Sequence, residues 1–254
     1  SVILMSFSTL FFAQVKGTAV SFNDDFWKDK PVLSKINSEE KKSNAVYLAD
    51  VNICSYSYDS FVDPKTGTSY DDILIEKNLY YKKIRLNNDN AVEVFNKVYI
   101  PMSNARQIVD LKARAITKSG DIIEFDDSNK KEVENYENYG PFTIFALEGI
   151  EVGSEIEYTY TIIEPGSFND FYFDIRVQEE LPKRLFHYEL VVPENFVLKT
   201  KSYNGLNEMI ADTSANDVDR YVLHLEGVSK FKSEDYSKGD ALIQRAEIKR
   251  FELQ

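Results

Sequence analysis

The sequence predicts an all-β fold: a large antiparallel β-sandwich with few short helices. Strand-like segments follow one another from Ala45 to Leu253, separated by turn chemistry, with no helical period recurring between them. Phe and Tyr number 17 and 16, the residues that fill β cores, while Gly and Pro stand at 10 and 7, too few for a low-complexity chain. With 254 residues, 43% of them apolar, there is material for one large β domain or two small ones.

Residues 1–14, "SVILMSFSTLFFAQ", carry an apolar and hydroxyl-bearing run from Val2 to Phe12 that ends at Ala13-Gln14. This reads as a signal peptide whose basic n-region is missing, so a gene product clipped at its N-terminus is expected. The run is too short to span a bilayer. Secretion, to a periplasmic or extracellular location, is the resulting expectation. Cys54 is the one cysteine, so no intrachain disulfide can form and the fold depends on its core.

Residues 15–44 form a polar leader, expected to lean on the main domain through Phe26 and Trp27, and its last third, Ser34 to Lys42, suits a short helix. Residues 45–254 are the β-sandwich domain. Its candidate strands are 45–58, 73–86, 92–100, 107–117, 121–125, 142–147, 154–163, 171–177, 185–192, 196–203, 208–211, 221–225 and 241–253. Asp63-Pro64-Lys65-Thr66-Gly67, Lys118-Ser119-Gly120-Asp121, Glu151-Val152-Gly153-Ser154, Glu164-Pro165-Gly166 and Tyr203-Asn204-Gly205 supply turns between them. Gly153 is expected at positive φ, and a short helix is expected in the connector Ser128 to Tyr139.

The net charge of −12 excludes a nucleic-acid partner, which needs a basic track to neutralise phosphates. Lys82-Lys83-Ile84-Arg85 and Lys249-Arg250 are the densest basic spots, and both fall in strand patterns that read as solvated faces.

Several residues are candidates for chemistry. Cys54 lies in a strand pattern, not at the helix N-terminus a catalytic thiol needs, and reads as a packed small residue. His187 and His224 sit in strand text without a partner at metal-ligand spacing. Glu155 and Glu157 share one strand face about 6.6 Å apart at Cα, compatible with the roughly 5–9.5 Å between glycosidase carboxyl groups. A glycosidase also needs a concave site and one raised pKa, and the pair reads as a solvated polar face. Asp212 to Leu223 matches a calcium loop at its first, third and fifth places, but Asp217 replaces the required Gly and Leu223 the bidentate Glu. Asn169 to Asp174 is a weak cation candidate. Tyr56, Tyr58, Tyr80, Tyr81, Tyr136, Tyr139 and Phe171 to Phe173, with the Pro165–Phe168 loop, suit either a stacking surface for sugar or peptide or ordinary core filling. No catalytic, cofactor-binding or metal residue is assigned, and no cofactor.

The chain resembles a known family. "ALEGIEVGSEIEYTY" at Ala146–Tyr160 is similar to the most telling block of the domain of unknown function 3857. The blocks at Asn44–Tyr56, Tyr99–Phe125, Phe171–Phe196 and Tyr221–Leu253 follow in the family's order. The resemblance covers about Ala45 to the end. It implies a β-sandwich accessory domain without assigned activity, of the kind that precedes transglutaminase-like domains in secreted bacterial proteins of Bacteroidetes type. There the Cys-His-Asp machinery belongs to the following domain, which is expected to lie beyond Gln254. The expected function is thus a non-catalytic module that supports or positions that downstream domain, its partner. The alternative is an independent glycan- or peptide-binding module. A weaker third reading is hydrolysis through Glu155 and Glu157 or through Cys54.

Overall fold

A computed structural model describes residues 26–102, 106–137, 139–167, 171–194, 196–212, 217–231 and 243–250. The expected signal peptide, the leader up to residue 25, and Phe168, Asn169 and Asp170 lie outside the described residues. Residues 26–31 form no helix or strand, and every regular element belongs to the unit from Val32 to Gln254.

A 3-10 turn at Glu40–Lys42 leads into β1 (Ala45–Val62) and β2 (Ser69–Leu86), then α1 (Asp89–Phe95) and β3 (Lys97–Pro101). Next come β4 (Gln107–Ile116), β5 (Ile122–Glu124), a 3-10 turn at Asp127–Asn129, β6 (Lys130–Val133) and β7 (Phe142–Ala146). The chain continues through β8 (Glu155–Pro165), β9 (Tyr172–Arg176), β10 (Lys183–Pro193), β11 (Leu198–Tyr203), β12 (Ile210–Asp212), β13 (Val218–Val228) and β14 (Arg245–Arg250). The β1–β2 hairpin turns where expected. The Asp63 carboxylate accepts from the amides of Lys65 and Thr66, and Gly67 takes a φ of +70°.

The all-β expectation holds. Eight strands form one sheet in the order β12-β13-β10-β1-β2-β8-β4-β5, and two three-stranded sheets run β11-β14-β9 and β3-β7-β6. One pairing departs from the antiparallel pattern. β1 and β10 run parallel, Val51 opposite His187 and Cys54 opposite Leu190, so the large sheet is mixed. Parallel neighbours need a long crossover, and everything from β2 to β9 serves as that connection.

β2 shows how the layers meet. On one face it carries Leu74, Glu76, Asn78, Tyr80, Lys82, Ile84 and Leu86. Leu74 belongs to a core with Cys54, Tyr56, Leu190, Leu223, Phe171 and Ile248, which packs the β11-β14-β9 sheet on that face. Ile84 and Leu86 belong to a second core with Ala45, Ile156, Ile100 and Phe145, which packs β3, β7 and α1. A strand directs alternate side chains to one side, so both small sheets cover the same face of the large one. β1 keeps to this face despite changing parity. A bulge between Tyr47 and Ala49 puts Ala45 and Tyr47 on the same side as Asp50, Asn52, Cys54 and Tyr56.

The helical expectations fared less well. Ser34 to Lys42 holds only the 3-10 turn, where Asn37 Oδ1 accepts from the amides of Glu39 and Glu40 and Glu40 accepts from the Asn37 amide. Ser128 to Tyr139 holds the end of the second 3-10 turn and then β6. α1 instead replaces the first part of the strand expected from Val92. Asn88 caps it, its side chain accepting from the Ala91 amide at 3.0 Å.

Candidate functional site

Between the two cores, the covered face of the large sheet turns polar. Asp50 and Asn52 from β1, Glu76, Asn78, Tyr80 and Lys82 from β2, and Glu164 from β8 line a cavity of about 430 Å³. β10 adds Lys183, Phe186 and Tyr188, and β9 closes one side. The volume falls in the range of small-molecule sites, roughly 300–1,000 Å³.

Its charges are mostly paired. Lys183 Nζ stands 2.6 Å from Asp50 Oδ2 and 3.4 Å from Glu179, while Lys82 Nζ is 3.6 Å from Asp50 Oδ1. Burial opposes the Lys82 ammonium, yet the Asp50 carboxylate outweighs it and holds the Lys82 pKa above the ordinary lysine value. Arg106 Nε donates to Glu164 at 2.8 Å. Glu76 accepts from the Tyr56 hydroxyl at 2.6 Å and from the Asn78 amide at 2.5 Å. Tyr80 stacks on Tyr160 with centroids 5.0 Å apart, and burial pushes its phenol up to about 12. The arrangement can bind and orient polar groups.

None of the residues singled out for catalysis lies in this cavity. Cys54 is 1% exposed in the apolar core, and burial pushes its thiol well above the usual range. His187 falls on the other face of the sheet, since Phe186, Tyr188 and Leu190 of its strand face inward. There its Nδ1 meets His224 Nδ1 across β10 and β13 at 3.1 Å. Burial and the neighbouring His187 keep His224 below its usual pKa.

Glu155 and Glu157 correct the expectation of a solvated face: they are 0% and 1% exposed. Glu155 accepts from the Ser34 amide at 2.6 Å and pairs with Lys83 and Arg85, at 3.2 and 3.3 Å. Glu157 accepts from Arg114 Nε at 2.7 Å and from the Tyr81 hydroxyl at 2.5 Å. Alternation assigned them to one face correctly, but it could not show that basic residues on β2 and β4 cover that face. The basic run Lys82-Lys83-Ile84-Arg85, read as solvated, is for the same reason largely engaged with these acids and with Asp50.

The cation candidates lie partly outside the described residues. Asp212 ends β12, residues 213–216 lie outside the described residues, and Val218 to Leu223 run along β13. Asp174 is held by Arg176 and Arg245, at 3.7 and 3.1 Å. Among the described residues no three His, Cys, Asp or Glu side chains are grouped to hold a metal ion. The aromatics divide too. Tyr56 and Phe171 are core partners 4.6 Å apart, Tyr80 lines the cavity, and Tyr58 and Tyr139 are exposed. The cavity itself went unrecognised in the sequence, although Glu76, Asn78 and Lys82 sit on the parity of Leu74 and Ile84.

The model of the family described as a domain of unknown function with a solved structure, DUF3857, matches residues 77–231. The chain belongs to the DUF3857 family. This DUF3857 chain is also similar to a crystal structure from Parabacteroides distasonis, of a protein assigned only provisionally as a protease. The TM-score is 0.65 at 16% identity, covering 81% of this chain and 40% of that one. That likeness shows a common fold, and the DUF3857 chain spans about two fifths of the longer protein. An M1 zinc metallopeptidase from Deinococcus radiodurans aligns at a TM-score of 0.40 and 4% identity, covering 81% of this chain and 42% of that one, too weakly to bear on the fold. No curated protein matches the chain.

Proposed function

We propose that this DUF3857 chain is a non-catalytic, secreted module that supports and positions a transglutaminase-like domain following it in a longer protein. The observation that carries the reading is the separation of its reactive groups. The Cys54 thiol and the His187–His224 pair occupy opposite faces of one sheet, and Glu155 and Glu157 are each neutralised by neighbouring cations. Catalysis by a thiol or a carboxylate pair needs those groups converging on one reacting atom. The secreted location rests on the apolar run Val2 to Phe12.

Support would act through packing. β14 is the central strand of its sheet, held by β11 on one side and β9 on the other. A chain continuing from it would leave a fixed point, which limits how a following domain can tilt. The test compares the parent protein with and without residues 45–254. The reading expects a lower melting temperature and lower turnover for the isolated following domain. Equal stability and equal turnover would rule the supporting role out.

A further inference from the structure

Five acids line the cavity: Asp50, Glu76, Glu164, Asp174 and Glu179. Four face a cation. Asp50 and Glu179 meet Lys183, Glu164 meets Arg106, and Asp174 meets Arg245. Glu76 differs. Among the described residues the donors that bond it are neutral, the Tyr56 hydroxyl and the Asn78 amide, while Arg106, bonded to Glu164 opposite it, acts on it only at a distance. A partly buried carboxylate hydrogen-bonded by neutral donors, its nearest cation committed to another acid, still favours a positive charge beside it. In the same lining Tyr188 is 6% exposed, and among the described residues its hydroxyl has no hydrogen-bond partner. Buried polar atoms are rarely left so.

Backbone borders the cavity too. All five residues of β9, Tyr172 to Arg176, line the cavity. Successive side chains of a strand point to opposite faces, so a sheet face turned to the cavity would present only alternate residues. The strand's edge therefore borders it. Among the described residues β9 is an outer strand of its sheet, paired with β14 on one side. Alternate residues of such a strand turn their amide and carbonyl groups away from the partner, where an added strand can pair.

We propose that the cavity takes an extended peptide that adds a strand to the β9 edge and seats a lysine ammonium on Glu76. Backbone pairing along β9 holds the segment in register. The lysine stem reaches past Phe173 and Tyr80, whose rings suit a cation. The ammonium donates to Glu76 and to the Tyr188 hydroxyl oxygen. Each Glu76 oxygen already accepts one bond, so a compact donor fits better than the planar fork of arginine, which needs both oxygens presented together. The chain's net charge of −12 favours the approach of a basic segment. This binding role stands independently of the supporting role.

The probe is a short fluorescent peptide, capped at both ends, that alternates valine and threonine around a central lysine. Fluorescence anisotropy with the full chain should show saturable binding. Acetylating the lysine Nε should weaken it about tenfold or more, the scale of a charge-assisted bond. Glu76→Gln should do the same, Tyr188→Phe should weaken it less, and N-methylation of alternate peptide amides should abolish it. No saturable binding, or equal affinity for the lysine and acetyl-lysine peptides, would overturn the proposal. Binding that survives N-methylation would overturn the added strand, and preference for a glucosamine oligosaccharide over the peptide would overturn the ligand class. Because the acetyl-lysine comparison uses the unaltered protein, a misfolded Glu76→Gln variant would not blunt the test.

Discussion

Glu157 on β8 and Arg114 on β4 face each other at 2.7 Å with both side chains sealed from water. Tyr81 donates to the second carboxylate oxygen. Two ions leave water at a large cost, which their attraction offsets only while both remain. Glu157→Ala should therefore destabilise the fold by about 3–5 kcal/mol, because the buried guanidinium loses its 2.7 Å partner and keeps Glu124 only at 3.9 Å. Replacing both, as in Arg114→Met with Glu157→Leu, should recover much of that loss. Urea midpoints of the two variants decide: a double variant no more stable than Glu157→Ala would show that the pair's charge is not what matters there.

Glu40 ties the segment before β1 to β10. Its carboxylate accepts two hydrogen bonds from Arg184, both at 2.9 Å. The Arg184 hydrogen bond, helped by the Asn37 amide, holds the Glu40 pKa below its ordinary 4.5. A depressed folded-state pKa means stability that is fully present above the unfolded value and lost as pH falls through the folded one. Wild-type protein should thus exceed Glu40→Gln in urea midpoint at pH 7, with the gap closing progressively below about pH 4.5. A gap of constant size from pH 7 to pH 3 would contradict the linkage.

Gly153 takes a φ of +96°, as its place before β8 requires, and its amide donates to the Leu86 carbonyl at 2.8 Å. A Cβ there would stand 3.3 Å from the Lys118 side chain. That contact can relax, but the left-handed backbone cannot suit a β-branched residue. Gly153→Val should lower stability by more than about 1 kcal/mol. An unchanged urea midpoint would mean that the turn adapts freely.

Strand positions were legible because alternation is local. The strands expected over 45–58, 73–86, 107–117 and 154–163 match β1, β2, β4 and β8 closely. α1 was hidden because Val92, Val94 and Phe95 also suit a strand, and only the Asn88 cap marks the helix start. The parallel β1–β10 pair was invisible, since nothing near Val51 specifies a partner 136 positions away (His187 minus Val51). The same holds for the site. Glu155 and Glu157 look soluble until Lys83, Arg85 and Arg114 are brought over them. Glu76 and Lys82 carried a readable signal, polar side chains on an apolar parity, whose meaning depends on two small sheets leaving a gap above them.

Cys54 offers a direct check on whether a reactive thiol is present. It packs with Leu190, Tyr56 and Phe171 in the core beneath the β11-β14-β9 sheet. Burial raises its pKa, and the Glu76 charge raises it further, so almost no thiolate exists at neutral pH. A thiol reagent must therefore wait for the small sheet to lift from the large one. Labelling of the native protein should run about 10³-fold or more slower than in strong urea, reflecting the rarity of such openings in a stable core. The native rate should also climb with small additions of urea, because opening exposes surface. Rapid labelling without denaturant would reveal an accessible thiolate, and with it the reactive centre that the proposed supporting role excludes.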